Sequence, residues 1–473
     1  MVVEIFHLRG LVVMKKVWVV MMSMLLLVVL AACSGNGDGE GNVDGNGVNG
    51  NVEQAQNGDS GNQDGELEPV VNSNASAEME FDLGGRTLRF VSWWDMTIGE
   101  DNPDNIQKKA NLEALMEKHN FKVENINIDF GEYQEKVVAS LMAGEPLGDF
   151  VRMGKKYMIP SLVKRDMFWA VDEWTKNENV FVQAVTNEYS QFEGRGYGFN
   201  DQPNLITGVF YNRTLMNELG IKPLQEYVDE NNWSWDAFIQ VAKDVDRDSD
   251  NDGKIDIWGL AKGDLLDMAL AANETDLVAG DKHNLDDPKA IEAFNFISRL
   301  ATEQVVRPTE GGDWQEPRAF FVQGNTLMYP GAIYEANALM NDMADYDIGF
   351  VPFPMGPSAS QYHAVENDVQ FLTIPKSVEM PRELLYIFEK IHDIESIYDY
   401  RGQADLEKSL TDELDIKNAR LVGDHMRVID RQSFPNIPYD AFLEELRDGV
   451  SVSTVVEKYK SQIQAAIDEV YQN

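Results

Sequence analysis

The chain has 473 residues, of which 80 are acidic and 40 basic, and its formal net charge is −40. This charge excludes nucleic acid as a partner, because phosphates require a basic surface, and it argues against peripheral binding to anionic lipid. The single cysteine excludes an internal disulfide, so stability must come from the core. About 395 residues follow position 78, and this length suits two lobes better than one core.

The N-terminus is typical of an export signal. Two lysines at 15–16 precede an apolar run at 17–30, and two alanines precede Cys33. The Leu-Ala-Ala-Cys stretch resembles a bacterial lipobox. That resemblance implies that residues 1–32 are removed and that Cys33 is acylated with diacylglycerol, which holds the protein on the outer face of the membrane. The alternative is a spanning helix with a buried cysteine, for which the run is short.

Residues 33–78 predict a flexible tether. They are rich in Gly, Asn and Asp, and no aromatic residue occurs between Trp18 and Phe81. Such a composition cannot bury enough apolar surface to offset the entropy of ordering. The segment is expected to space an extracellular domain from the bilayer, with the lipid as the only membrane attachment.

The folded part alternates strands and helices. Apolar patterning predicts strands at 87–93, 121–130, 149–153 and 205–211, and helices at 105–119, 133–143, 381–391 and 454–471. This order predicts an α/β fold in which helices cover mostly parallel sheets. Ligands in such folds bind beyond the carboxyl ends of the strands.

Several short stretches occur in an order that points to one family. They are Tyr-Gln-Glu-Lys at 133–136, Val-Phe-Tyr-Asn-Arg-Thr-Leu at 209–215, Trp-Ser-Trp-Asp-Ala-Phe at 233–238 and Ala-Phe-Phe-Val-Gln-Gly-Asn at 319–325. Together they resemble extracellular solute-binding proteins of family 1, the sugar-binding kind. The resemblance implies a hinged, two-lobed fold of the periplasmic-binding-protein type II class. The expected division is lobe 1 at 79–204 plus 327–369 and lobe 2 at 205–326 plus 370–473.

The same resemblance implies a function without catalysis. The chain would be the substrate-binding component of an ABC importer, a monomer that hands an oligosaccharide to permease subunits. Two alternatives stay open, namely a secreted lipoprotein enzyme acting on polysaccharide and a sensor subunit that presents a ligand. The usual catalytic motifs do not occur, although a pair of glycosidase carboxylates cannot be recognised from sequence.

Aromatic and polar residues near predicted strand ends and loops form the candidate ligand site. Aromatic faces suit the apolar faces of sugar rings, and polar groups suit their hydroxyls. The candidates are Trp93, Trp94, Asp95, Lys155, Tyr157, Tyr197, Tyr211, Trp314, Tyr334, Asn367 and Asp368. For each aromatic residue the alternative is packing in the core.

An acidic loop predicts a structural Ca²⁺ site. Oxygen donors at alternate positions, with a glycine at the sharp turn, are typical of an EF-hand-like loop. The predicted ligands are Asp248, Asp250, Asp252, the carbonyl of Lys254, and Asp256. The loop departs from a full EF-hand because its twelfth position is Gly259 instead of glutamate. The alternative is a solvated acidic turn.

Overall fold

A computed structural model describes residues 74–201, 205–311, 313, 315–429, 431 and 433–472. The predicted export signal, Cys33, most of the tether and Trp314 lie outside these described residues. Residues Val70–Asn473 form one compact unit of the chain. Within the described ranges, no helix combines the length and apolar character needed to cross a bilayer.

Fourteen strands lie within the described residues. They are β1 (Arg86–Ser92), β2 (Phe121–Asn127), β3 (Phe150–Gly154), β4 (Gln191–Phe192), β5 (Arg195–Gly196), β6 (Thr207–Asn212), β7 (Trp258–Leu260), β8 (Val278–Ala279), β9 (Lys282–His283), β10 (Thr326–Ala332), β11 (Ile348–Val351), β12 (Val365–Glu366), β13 (Gln370–Thr373) and β14 (Arg427–Val428).

The helices cover these strands. They are α1 (Pro103–His119), α2 (Phe130–Met142), α3 (Lys155–Met158), α4 (Ser161–Lys164), α5 (Arg213–Leu219), α6 (Leu224–Asp229), α7 (Trp235–Val245), α8 (Leu266–Ala272), α9 (Pro288–Thr302), α10 (Glu316–Val322), α11 (Ala336–Asp342), α12 (Pro381–His392), α13 (Gln403–Ser409), α14 (Glu413–Gly423), α15 (Tyr439–Arg447) and α16 (Val452–Gln472). A π-helical turn at Val185–Tyr189 and a 3₁₀ turn at Ile333–Glu335 complete the set.

The first sheet has the order β2–β1–β3–β13. β1 is parallel to β2 and β3, whereas β13 returns antiparallel to β3, with Phe371 opposite Met153. β2 ends at Asn127, earlier than predicted, because Asp129 caps α2 by accepting a hydrogen bond from the amide of Gly131. The carboxyl ends of β1, β2 and β3 therefore lie along one edge, where β13 begins.

The second sheet has the order β11–β6–β10–β7. β6 is antiparallel to β10 and β11, and β10 is parallel to β7. Gly208 in β6 allows β11 to approach closely, because a Cβ atom there would lie 2.4 Å from the ring of Phe350. β7, β10 and β11 end along one edge, at which β6 begins.

Alternate residues of each sheet face different cores, as the two-residue period of a strand requires. In the first sheet, Phe90 and Phe150 stack at 4.5 Å in the core that includes residues of α1 and α12, whereas Val91 and Val151 join the core that includes residues of α2. Burial on both faces agrees with the near-continuous apolar character of these strands.

The predicted division into lobes is wrong after residue 326. β10 and β11 pair with β6, so this part of the chain belongs to the second sheet, whereas β13 belongs to the first. α12 packs against α1, and α13 packs against α11. Lobe 1 is therefore 74–201 plus about 368–393, and lobe 2 is 205–367 plus about 403–472. The first crossing, between 201 and 205, lies close to its predicted place, and a third crossing follows α12.

A polar cluster in lobe 2 fastens the end of α8 to the segment before β12. The Glu274 carboxylate accepts hydrogen bonds from the amide of Ser360 at 2.7 Å and from its hydroxyl at 2.5 Å. Lys289 Nζ lies 3.3 Å away, and His363 Nε2 lies at 3.5 Å. The hydrogen bonds from Ser360 are the main reason why the pKa of Glu274 falls to about 2.

We expect Glu274→Gln to lower the free energy of unfolding at pH 7 by about 1–2 kcal/mol, less than the full equivalent of the pKa shift because the side chain is partly solvated. A depressed carboxylate pKa contributes stability above the unfolded pKa, and this contribution is lost as the pH falls from 4.5 towards 2. When urea unfolding is measured across this pH range, the free energies of unfolding of the variant and the wild type should converge as the pH falls. A difference that does not change with pH would contradict the assignment.

Candidate functional site

The carboxyl edge of the first sheet gathers residues that are far apart in sequence. Trp93–Asp95 follow β1, Lys155–Tyr157 follow β3, and Asp368 precedes β13. The amide of Lys155 donates to the carbonyl of Val369 at 2.9 Å, which ties two of these segments together. Most of the predicted lobe 1 residues therefore lie along one edge.

The two tryptophans after β1 have different environments. Trp93 is partly buried and makes edge contacts with Trp94 at 4.8 Å and with Tyr133 at 5.0 Å between ring centroids. Trp94 is 42% exposed, and the guanidinium carbon of Arg152 lies 4.5 Å from its ring centroid. Trp94 is thus the better placed of the two to contact a ligand, with Trp93 supporting it.

A second aromatic group follows β3. Tyr157 is 39% exposed, and Lys156 Nζ lies 5.1 Å from its ring centroid. The same ammonium lies 3.4 Å from Asp368, which also accepts a hydrogen bond from the Gln370 side chain at 2.8 Å. A Cβ atom at Gly154 would lie 3.4 Å from the Tyr157 ring, so this glycine leaves room for the ring beside the strand end.

The crossing segment also contacts lobe 2. The Asn367 amide donates to Asp267 at 2.7 Å, and Asp267 further accepts from Arg431 Nε at 3.1 Å and from the Tyr439 hydroxyl at 2.9 Å. Burial first, and the Asp267 carboxylate second, raise the pKa of Tyr439 well above its usual value. The phenol therefore keeps its proton and serves as a donor. Asp267 is buried but its charge is compensated.

Two cavities adjoin these crossings. One of about 900 Å³ lies on the lobe 2 side, and its lining includes Asn367, Asp267 and Arg431. Another of about 370 Å³ lies between the start of α1 and the segment 394–405, and Asp201 and His392 contribute to it. The larger cavity is lined by residues of lobe 2, and the smaller one by residues of lobe 1 and of the third crossing. The exposed aromatic residues Trp94, Tyr157 and Tyr334 lie outside both linings.

Other predicted ligand residues differ in position. Tyr334 follows β10 at the corresponding edge of the second sheet and is 66% exposed. The Asp95 carboxylate accepts from the amide and hydroxyl of Thr97, which lowers its pKa and commits it to a local turn. Tyr197 is partly buried against the lobe 1 core. Its role as a ligand residue stays a prediction, as does that of Trp314.

The prediction that Tyr211 borders the cleft is wrong. Its side chain is 2% exposed in the lobe 2 core, near the carboxyl end of β6, which is the far end of the sheet. Its hydroxyl accepts a hydrogen bond from Arg213 Nε at 3.1 Å. β6 runs opposite to its neighbours, so the end of this strand lies away from the edge where β10 and β11 end.

Several residues of the site were not predicted, namely Arg152, Asp267, Arg431 and Tyr439. Arg152 had a recognisable signal, because a charged residue interrupts an otherwise apolar strand just before its carboxyl end. The other three carry no comparable local signal. They come together in lobe 2 because the chain returns there after its third crossing.

The acidic loop joins α7 to β7. Carboxylate oxygens of Asp248, Asp250 and Asp256 lie within 4.8 Å of one another. All four acidic side chains accept hydrogen bonds from amides of the loop, but the Asp252 carboxylate does not join this group and lies 3.9 Å from Lys254 Nζ. Of the four predicted carboxylate ligands, three therefore converge. Hard oxygen donors at this spacing suit Ca²⁺.

Comparisons with known proteins agree with this architecture. A model of the bacterial extracellular solute-binding protein family matches residues 101–379. None of the curated proteins compared gives a significant match.

Solved structures with the same fold include ABC transporter proteins from several bacteria. A galacto-N-biose/lacto-N-biose I-binding protein from Bifidobacterium longum, in complex with lacto-N-biose, is 14% identical with a TM-score of 0.61, and the alignment covers 82% of this chain and 98% of that one. An ABC substrate-binding protein from Listeria monocytogenes, in complex with cycloalternan, is 14% identical with a TM-score of 0.57 and the same coverages. A maltose/maltodextrin-binding domain from Bdellovibrio bacteriovorus, bound to maltotriose, is 15% identical with a TM-score of 0.53 and coverages of 82% and 100%. The predicted two-lobed, periplasmic-binding-protein-like α/β fold is confirmed.

Proposed function

Because the chain belongs to the bacterial extracellular solute-binding protein family, we propose that it binds an oligosaccharide between its lobes and delivers it to the permease subunits of an ABC importer. The observation that carries this proposal is the gathering of aromatic and polar side chains at the carboxyl edges of both sheets. The family consists of binding proteins, so the proposed function contains no catalytic step.

Binding in this proposal is coupled to hinge closure. The chain crosses between lobes three times, and the second crossing contains both Asn367, which bonds to lobe 2, and Asp368, which pairs with Lys156 of lobe 1. A ligand that contacts only one lobe has no greater affinity for the closed state, whereas one that contacts both stabilises it. Trp94 and Tyr157 serve lobe 1, and Tyr334 serves lobe 2.

We expect calorimetric titration with a panel of neutral and acidic oligosaccharides, including maltotriose, mannotriose and lacto-N-biose, to identify at least one ligand. Small-angle scattering should show compaction of the protein when that ligand binds. Trp94→Ala should weaken binding by about 1–3 kcal/mol, the scale of one lost aromatic contact.

Tyr471→Ala is the matched control, because this ring is also exposed but lies near the end of α16. It should leave the affinity unchanged. Absence of any oligosaccharide ligand, or equal affinity of the Trp94 variant and the wild type, would refute the cleft assignment.

We further propose that the acidic loop holds a structural Ca²⁺ through Asp248, Asp250 and Asp256. Three carboxylates at this spacing repel one another unless a cation neutralises them. The loop follows α7 directly and leads into β7, so a bound cation would stabilise lobe 2 and would not take part in ligand binding. The carbonyl of Lys254 and the side chain of Asp252 stay predicted additional ligands.

Ca²⁺ is expected to raise the Tm of the protein and EGTA to lower it, since an ion bound only by the native state stabilises by mass action. Replacing Asp248 and Asp250 together by Asn should abolish this response. Asp244→Asn, a change on the exposed face of the preceding helix, should retain it. A melting curve that is identical in Ca²⁺ and in EGTA would identify the loop as a solvated acidic turn.

We also propose that the chain is a lipoprotein on the extracellular face of the membrane, attached through acylated Cys33 and monomeric. The lipobox-like stretch and the absence of a second cysteine support this proposal. The two acyl chains of a diacylglycerol suffice for stable anchoring without a spanning helix, whereas a single chain binds only reversibly.

Cys33→Ala should move the protein from the membrane fraction to the soluble fraction, or leave the N-terminal segment uncleaved. Ser34→Ala is the control and should stay in the membrane fraction. Immunoblotting of fractionated cells together with mass spectrometry measures both outcomes. Membrane retention of the Cys33 variant with the mass of the processed wild type would exclude lipid anchoring at this residue.

A further inference from the structure

Two polar atoms that have no hydrogen-bond partner within the described part of the chain lie near the carboxyl ends of β1 and β3, next to Trp94 in the case of Arg152. β1 and β3 pair with Phe90 opposite Phe150, and continuing this register places Ser92 beside Arg152 on the same face. The Ser92 hydroxyl and the Arg152 Nε are both buried, and neither has a hydrogen-bond partner among the described residues. Such groups are costly to leave unsatisfied, so they point to a missing partner.

The charge of Arg152 is also poorly compensated. The contact recorded for its guanidinium is a long one, 3.5 Å from Nη1 to the side-chain oxygen of Asn200, and no carboxylate of the described residues lies within 4 Å. The carboxylate of Asp201 acts on Arg152 only from a longer distance, because it contacts His392 at 3.4 Å and Lys108 at 4.0 Å. Burial lowers the pKa of Arg152 to about 10, which still leaves it charged at neutral pH.

The nearest acidic side chains at this edge of the sheet have other partners. Asp368 pairs with Lys156 at 3.4 Å, and the Asp95 carboxylate accepts hydrogen bonds from Thr97. Neither carboxylate therefore neutralises Arg152, so a negatively charged group of a ligand can do so.

We infer that Arg152 binds a carboxylate of the ligand, so that the transported oligosaccharide is an acidic one that contains uronate residues. A guanidinium presents two parallel N–H donors that match a carboxylate, and a buried site strengthens this pairing. The stacked Trp94 places an aromatic ring next to the guanidinium, so one sugar residue can contact the ring while its carboxylate reaches the arginine. This inference rests on the proposed function and narrows its ligand class.

The test compares matched oligosaccharides. Trimers of galacturonate, glucuronate and mannuronate are titrated into the purified protein by calorimetry, each beside its carboxyl-reduced neutral counterpart. We expect the acidic member of at least one pair to bind at least about tenfold more tightly. Both members of a pair are titrated at the same ionic strength, because salt screens the repulsion between an acidic ligand and a protein of net charge −40.

Variants assign the effect to Arg152. Arg152→Gln should abolish the preference for the acidic member while binding of the neutral counterpart persists, and Arg152→Lys should restore part of it. Arg89→Gln is the control, because this exposed arginine of the same sheet pairs with Glu124. Thermal unfolding of each variant checks that it is folded, and the preference of the wild type for the acidic member stands even if Arg152→Gln does not fold.

Each outcome is decisive. Neutral and acidic members that bind equally, or a preference that survives in a folded Arg152→Gln protein, would overturn this inference and leave the proposed function intact. Failure of every oligosaccharide, neutral or acidic, would overturn both.

Discussion

The antiparallel pairing of β13 with β3 is the constraint on which the architecture of this protein depends. It brings the chain back to lobe 1 after lobe 2 is largely complete, so neither lobe is a continuous piece of sequence. The same pairing sets Asp368 at the carboxyl edge of the first sheet, beside Lys156. A hinge and a binding edge therefore follow from one set of backbone hydrogen bonds, and relative movement of the lobes necessarily acts on this segment.

Electrostatics differ between the two sides of the cleft. In lobe 2, the buried carboxylate of Asp267 receives hydrogen bonds from three side chains, which satisfy it before any ligand arrives. In lobe 1, Arg152 is partly buried, its Nε has no partner among the described residues, and its guanidinium has one long hydrogen bond and lies against the ring of Trp94. A satisfied buried charge stabilises the scaffold, whereas an unsatisfied one is costly in the empty protein and favourable once a complementary group binds. The polar groups around Asp267 in lobe 2 are thus fully hydrogen-bonded, whereas those around Arg152 in lobe 1 are not.

Sequence patterns predicted correctly those features that depend on residues close together in the chain. The helices at Pro103–His119 and Pro381–His392 agree with their predicted spans closely, because apolar spacing and capping residues act within a few turns. The edge containing Trp93, Trp94 and Lys155 was also predictable, since strands of a parallel sheet end on one side. The prediction failed for Tyr211, because the direction of β6 depends on pairing with strands more than 100 residues away.

The sequence by itself determined the alternation of strands and helices, the family and the candidate acidic loop, because each depends on short-range patterns of apolar, turn and charged residues. Only the tertiary structure decided which lobe receives β10, β11 and β13. The apolar pattern of a strand indicates which of its side chains are buried, but it does not indicate with which other strand it forms hydrogen bonds. It also decided that three loop carboxylates converge while Asp252 turns towards Lys254. The lack of a partner for the Arg152 Nε among the described residues belongs to this second group, because the hydrogen bonds of a buried atom depend on every element packed around it.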